Sequence, residues 1–287
     1  MRAMSAFFLG EETRDTSYEQ ARAVVLPIPY EKTTSYGSGT ARGPQAIIEA
    51  SAYVELYDEV YETEVWRQGI YTDTAPVFTG ETEQDFDILA DRVDKHLKNG
   101  KFVVSLGGEH AISYPLVKAF RHHYPDLTVI QFDAHSDLRD SYEGSIYSHA
   151  SVMKRLYDSG IAFRQIGIRS QCVEEARLIR EQNLATLYAH HTQSHWRDFL
   201  SDIRGNVYIT FDVDFWDPSL MPATGTPEPG GFFWDETMAM LAFIFSRARV
   251  VGCDVVELSP VADWHHPDFT TAKLVYKMIT LKLKDSL

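Results

Sequence analysis

Phe132-Asp133-Ala134-His135-Ser136-Asp137 follows the apolar run 127–132, and its reading decides the fold. The run predicts a buried strand. Beyond it, carboxylate or imidazole recurs at every second position. Extended backbone would send Asp133, His135 and Asp137 out from one face. Such an oxygen and nitrogen donor set at a strand end suits manganese, iron or zinc. The same letters also make an ordinary polar junction, because Asp and Ser are common turn residues. The chain on either side separates the two readings.

Outward from this stretch, the same pattern recurs. Strand 207–211 runs into Asp212-Val213-Asp214, followed by Asp217-Pro218 and a Gly/Pro-dense loop over 223–231. Strand 101–106 ends in Gly107-Gly108-Glu109-His110, where two glycines predict a tight turn with positive φ. Strand 249–256 leads directly into Glu257. Further strands are expected at 23–28, 69–72, 163–168 and 185–188. Helices are expected at 43–53, where Gly43-Pro44 supplies a first-turn proline, and at 86–98, 112–122, from 148 onward, 173–181, 234–246 and 270–282. About eight strands, mostly continuous apolar runs, alternate with helices. The fold class is therefore α/β: a mainly parallel sheet covered on both faces, in three α/β/α layers. No linker or composition shift divides the chain, so 1–287 reads as a single domain. Three segments read as irregular: a flexible stretch at 33–41, an acidic, tyrosine-rich solvated face at 57–64, and a surface loop carrying His190, His191 and His195.

The formal net charge is −14. That balance argues against gripping nucleic-acid phosphates and favours small cationic ligands. Two cysteines, Cys172 and Cys253, form no disulfide framework, so the default is a reducing cytoplasm. The first ten residues lack a signal-peptide pattern, and no apolar run approaches the ~18 residues of a membrane span.

In a parallel sheet, ligands bind beyond the carboxyl ends of the strands. His110, Asp133, His135, Asp137, Asp212, Asp214 and Glu257 are all expected there. So many carboxylates would repel one another unless cations neutralised them, and two divalent metals would do so while activating a water.

Together, Gly107-Gly108-Glu109-His110, Asp133-Ala134-His135-Ser136-Asp137, Ser148-His149, Asp212-Val213-Asp214 with Asp217-Pro218, the 224–231 run and Asp254-Val255-Val256-Glu257 resemble the ureohydrolase family of arginases and agmatinases. The resemblance implies a binuclear manganese centre, two Mn2+ per chain, and hydrolysis of a guanidino group to urea. It implies that His110, Asp133, Asp137 and Asp212 hold one metal and that His135, Asp133, Asp212 and Asp214 hold the other. Glu257 would orient the guanidinium, and His149 would shuttle protons. It also implies a homotrimer or homohexamer. Within the family, Thr-Gly-Thr-Pro-Glu-Pro-Gly-Gly at 224–231 is similar to the agmatinase branch, and the Asn-rich stretch of arginases after the Asp-His-Asp motif is absent. The expected substrate is agmatine, hydrolysed to putrescine in polyamine biosynthesis. Aminopropylagmatine, guanidinobutyrate and arginine are the alternatives. Arg139 is the contrary sign, because a cation at the mouth could read a carboxylate; pairing with Asp140 or Glu143 is the expectation instead. Formimino hydrolysis, a single-zinc deacetylase on a shared fold and an inactive metal-binding homologue are the competing classes.

Overall fold

A computed structural model of the chain describes residues 6–286. Its elements alternate almost throughout. In order they are β1 (Ala23–Ile28), α1 (Gly43–Ser51), β2 (Ile70–Thr72), α2 (Thr82–Lys98), β3 (Phe102–Gly107), α3 (Ser113–His123), β4 (Thr128–Phe132), α4 (Val152–Asp158), β5 (Ala162–Ile168), α5 (Val173–Gln182), β6 (Thr186–Tyr188), α6 (Thr192–Phe199), β7 (Asn206–Asp212), α7 (Trp234–Arg247), β8 (Arg249–Val256) and α8 (His266–Leu283). The strands form one eight-stranded sheet in the order β2-β1-β3-β8-β7-β4-β5-β6. Every pairing is parallel.

The continuous apolar strands are buried on both faces: β1 and β3 are buried at every position. Side chains alternate between two cores. Val104, Ile130, Phe211 and Val255 join a core with α1, α6, α7 and α8. Val103, Val129, Tyr208 and Val256 join the opposite core with α2, α3 and α4. The result is the three-layer arrangement expected from patterning. Helix α8 is buried around most of its circumference and packs against both α1 and α7.

Beta strands β3 and β4 are consecutive in sequence but stand apart, with β8 and β7 between them. This reversal of strand order opens a crevice at the carboxyl edge, the place such sheets bind ligands. The four central strands bracket it.

Several expectations change. Residues 190–195 do not form a loop: Ala189–His191 is a short 3-10 helix and α6 follows. Trp196 and Leu200, one turn apart, are buried and anchor that helix, a stripe too short to show as periodicity. His190 and His195 are exposed; the side chain of His191 lies outside the described residues. Helix α2 starts at Thr82 with Glu83 and Asp85 in its first turn, where acids favour the helix dipole. The 33–41 stretch is tied down, since the Glu31 carboxylate accepts from the amides of Gly39 and Ala41 and the Thr40 hydroxyl. The 57–64 segment is not simply a solvated face. Asp58 is buried and pairs with buried Lys277 of α8 at 3.0 Å. Gly107 and Gly108 do not take positive φ. They are needed for close approach: a Cβ on Gly108 would lie 2.0 Å from the Tyr30 carbonyl oxygen.

Candidate active site

Each central strand ends in polar residues aimed into the crevice. After β3 come Glu109 and His110, after β4 come Asp133 to Asp137, β7 ends on Asp212 with Asp214 in the next turn, and β8 is followed by Glu257. The structure brings His110, Asp133, His135, Asp137, Asp212 and Asp214 together, with His149 and Glu257 on the walls of the same cavity.

The convergence of 133–137 does not come from extended alternation, because β4 stops at Phe132. Asp133 Oδ1 accepts from the His135 amide at 2.6 Å, which folds the chain back. Asp137 sits at φ 52° and Glu257 at φ 66°. Non-glycine residues in the left-handed region are strained, and such strain concentrates at functional sites. Asp212 Oδ1 accepts from the Asp214 amide at 2.8 Å, so the second carboxylate pair is likewise set by a turn.

Two donor sets result. His110 Nδ1 lies 3.0 Å from Asp137, 3.1 Å from Asp133 and 3.5 Å from Asp212. His135 Nδ1 lies 2.8 Å from Asp214 and 3.6 Å from Asp133. Asp133 belongs to both sets. His110 Nδ1 is buried without a hydrogen-bond partner. Its other nitrogen is committed: Thr210 Oγ1 donates to Asp254 Oδ1 at 2.7 Å, so at 2.8 Å it accepts from His110 Nε2. Nδ1 therefore offers a lone pair among three carboxylates. The carboxylate and imidazole donors fit divalent ions of the manganese type.

The electrostatics agree with that fit. Burial, then Asp133, raises the Asp137 carboxyl to about 7. Burial, then Asp214 and Asp133, pushes Asp212 well up. Burial, then Glu109, does the same to Glu257. Burial lowers His110 and His135, but the surrounding aspartates prevail and hold both imidazoles well above their ordinary value. Left to itself, the cluster retains protons that bound cations would displace.

Above the donors lies a cavity of about 270 Å³, lined by Tyr36, Arg139, Tyr142, His149, Glu228 and Glu257 among others. Glu257 Oε1 accepts from the His110 amide at 2.6 Å. Burial, then His110 and His135, pushes His149 down to about 4. Tyr142 meets the His149 ring edge-on, at 5.5 Å between centroids. Arg139 stacks over Tyr142 at 5.3 Å. The expected pairing of Arg139 with Asp140 is not formed, because Asp140 faces Lys154 and Arg155 instead; among the described residues Arg139 makes no ion pair. The acidic 57–64 segment contributes nothing to the cavity lining, which removes it from the mouth.

Sequence reasoning missed the residues that hold these groups. Gln131 Nε2 donates to Asp133 Oδ2 at 2.7 Å, and Gln165 Nε2 donates to Gln131 Oε1 at 2.6 Å. Tyr208 donates to Asp254 Oδ2 at 2.8 Å. Arg169 donates to the carbonyls of Asp214 and Glu228, pinning the 223–231 loop. A signal existed for some of them: Gln131, Gln165, Thr210 and Asp254 each interrupt an otherwise apolar buried strand, and buried polar groups demand partners.

The arginase family model matches residues 21–280. The chain is 41% identical over 280 residues to the N(1)-aminopropylagmatine ureohydrolase of Synechocystis sp., covering 92% of this chain and 90% of that protein. It is 36% identical to an agmatinase of Bacillus anthracis, covering 92% of each. The agmatine ureohydrolase structure of Thermoplasma volcanium superposes with a TM-score of 0.87 at 29% identity, covering 96% of this chain and 94% of that one. With motifs, sheet order and the His–carboxylate cluster in agreement, this chain belongs to the arginase family as an agmatinase-like ureohydrolase, a hydrolase of guanidino carbon–nitrogen bonds.

Proposed function

We propose that this chain releases urea from a guanidino compound ending in an amine, N1-aminopropylagmatine ahead of agmatine, with two manganese ions per chain. The observation that carries the reaction is the pair of donor sets sharing Asp133 beneath Glu257. His110, Asp133, Asp137 and Asp212 would hold one ion; His135, Asp133, Asp212 and Asp214 would hold the other. When bound, the ions supply an acidified water as nucleophile. Glu257 accepts hydrogen bonds from the guanidinium and turns its carbon toward the donor sets, a geometry that suits a carboxylate. His149 carries a proton to the leaving amine nitrogen. The one continuous sheet supports taking 1–287 as one domain.

The amine end rests on the cavity wall. Glu228 is a carboxylate outside both donor sets, and it lines the cavity. Higher identity to the Synechocystis protein than to the Bacillus agmatinase moves the preference from agmatine to its aminopropyl derivative. Urea release by manganese-loaded protein tests the reading, with kcat/KM compared across aminopropylagmatine, agmatine, guanidinobutyrate and arginine. The two amine-terminated compounds are expected to lead by at least tenfold, about 1.4 kcal/mol of transition-state discrimination. A lead by arginine or guanidinobutyrate would refute the amine end while leaving the reaction intact.

A further inference from the structure

Glu109 is fully buried and is not in either donor set. Its Oε2 accepts from the backbone amides of Lys32 at 2.7 Å and Thr33 at 2.6 Å. Its Oε1 faces the Thr33 hydroxyl at 3.0 Å. The same hydroxyl lies 3.1 Å from the His149 amide and 3.2 Å from His149 Nδ1. These contacts join the β1 and β3 ends of the sheet to the start of the 3-10 turn that carries His149.

We propose that Thr33 and Glu109 are positioning residues that fix His149 in the Nδ1–H tautomer and leave the Nε2 lone pair to the cavity. The hydrogen count leads there. Two amide contacts as short as 2.6 and 2.7 Å on one oxygen are those of an ionised carboxyl. An ionised carboxyl only accepts, so the Thr33 hydrogen points at Glu109. The Thr33 oxygen is then left with lone pairs only. It accepts from the His149 amide, and it accepts from Nδ1 only if Nδ1 carries the ring hydrogen. A neutral imidazole has one such hydrogen, so Nε2 is bare. The orienting partner on one nitrogen thus sets what the other can do.

The inference rests on His149 being the proton carrier. A bare Nε2 takes a proton before it gives one, so His149 can receive the proton of the attacking water and pass it to the leaving nitrogen. The opposite tautomer would present a hydrogen and no acceptor at the moment of attack.

The experiment pairs spectroscopy with kinetics. Protein labelled with nitrogen-15 in histidine and loaded with diamagnetic zinc is examined by NMR, and His149→Ala identifies the His149 signals. The expected wild-type pattern is a protonated Nδ1 and a lone-pair Nε2. Thr33→Val should mix the tautomers and lower kcat of the manganese form by about 10- to 100-fold with KM nearly unchanged, the usual scale for losing an orienting partner. Thr33→Ser, which keeps the hydroxyl, should restore both. Melting temperature and metal content, matched across the variants, separate misfolding from mispositioning. A wild-type Nε2–H pattern, or equal loss in Thr33→Val and Thr33→Ser, overturns the proposal. Full activity in His149→Ala would instead sink the proton-carrier reading, and the tautomer would still be read from the spectrum.

Discussion

At the scale of single residues, Asp133 and His149 divide the site's labour. Asp133 lies in both donor sets, is fully buried and is held by Gln131. Asp133→Asn should reduce both activity and manganese content to background. His149 lines the cavity outside both sets, so His149→Ala should keep the metal and lose about 10²- to 10⁴-fold in kcat, the usual scale of general acid–base catalysis. Metal analysis beside a urea assay checks both; equal loss with intact metal in both variants would contradict the division. The same cluster gives a pH dependence. Asp137 is raised from 3.8 to about 7, so metal-free folded protein holds a proton there that the unfolded chain has released. Stability then falls as pH rises through that interval. The raised imidazoles act in the same direction: their contribution is complete below 6.5 and is lost as pH climbs through their folded values. Asp133 is lowered, and its contribution is lost only in acid, below this window. Chelated protein should therefore melt at lower temperature at about pH 8 than at about pH 6, and added manganese should raise the melting temperature more at the higher pH. Scanning calorimetry with and without chelator at both pH values reads the sign directly.

At the scale of elements, the four central strands do two jobs, burying apolar faces and carrying polar props for the ligands. The first job was legible in the sequence, because the runs ending at Gly107, Phe132, Asp212 and Val256 are continuous and turn residues punctuate them. The second job was visible only as interruptions. Thr210 and Asp254 look like defects in apolar strands until their register pairs them side by side on β7 and β8 and sets them behind His110. Strand order is a long-range property, and one sequence does not display it. Helix α6 was illegible for the opposite reason: eight residues with a single buried turn give too little periodicity. The 57–64 segment misled because its acids were counted without Lys277, more than two hundred residues away, which pairs with Asp58. A prediction belongs at this scale. Thr210→Val leaves the strand its shape but removes the acceptor of His110 Nε2–H and a donor to Asp254. Manganese affinity should weaken by about 10- to 100-fold, as for other lost partners of ligating histidines. Titration calorimetry on Thr210→Val and Thr210→Ser checks it, and unchanged affinity in the valine variant would show that His110 is held by packing alone.

At the scale of the whole molecule, a formal charge of −14 surrounds a cavity whose wall carries Glu228 as well as the ligand carboxylates. Two divalent ions would leave the protein near −10, still strongly acidic. Such a field draws cations in and weakens with added salt, since screening acts over about 8 Å at physiological ionic strength. The dependence scales with the product of the charges on protein and substrate. Near neutral pH aminopropylagmatine is a trication, agmatine a dication, arginine a monocation and guanidinobutyrate a zwitterion without net charge. The logarithm of kcat/KM should therefore fall with the square root of ionic strength along slopes in the ratio of roughly 3:2:1:0. Arg139, stacked on Tyr142 in the cavity wall, is the local exception to the acidic surroundings. If it dominated the mouth, the order would compress or invert, with guanidinobutyrate gaining as salt screens its competitors. Arg139→Gln distinguishes the two fields: it should steepen the slopes for the polycations if Arg139 opposes their entry, and leave them unchanged if the whole-molecule charge alone governs approach. Equal slopes for all four substrates in the wild-type protein would show that long-range charge plays no part in selection, and the preference for an amine end would then have to come from contact with Glu228 alone.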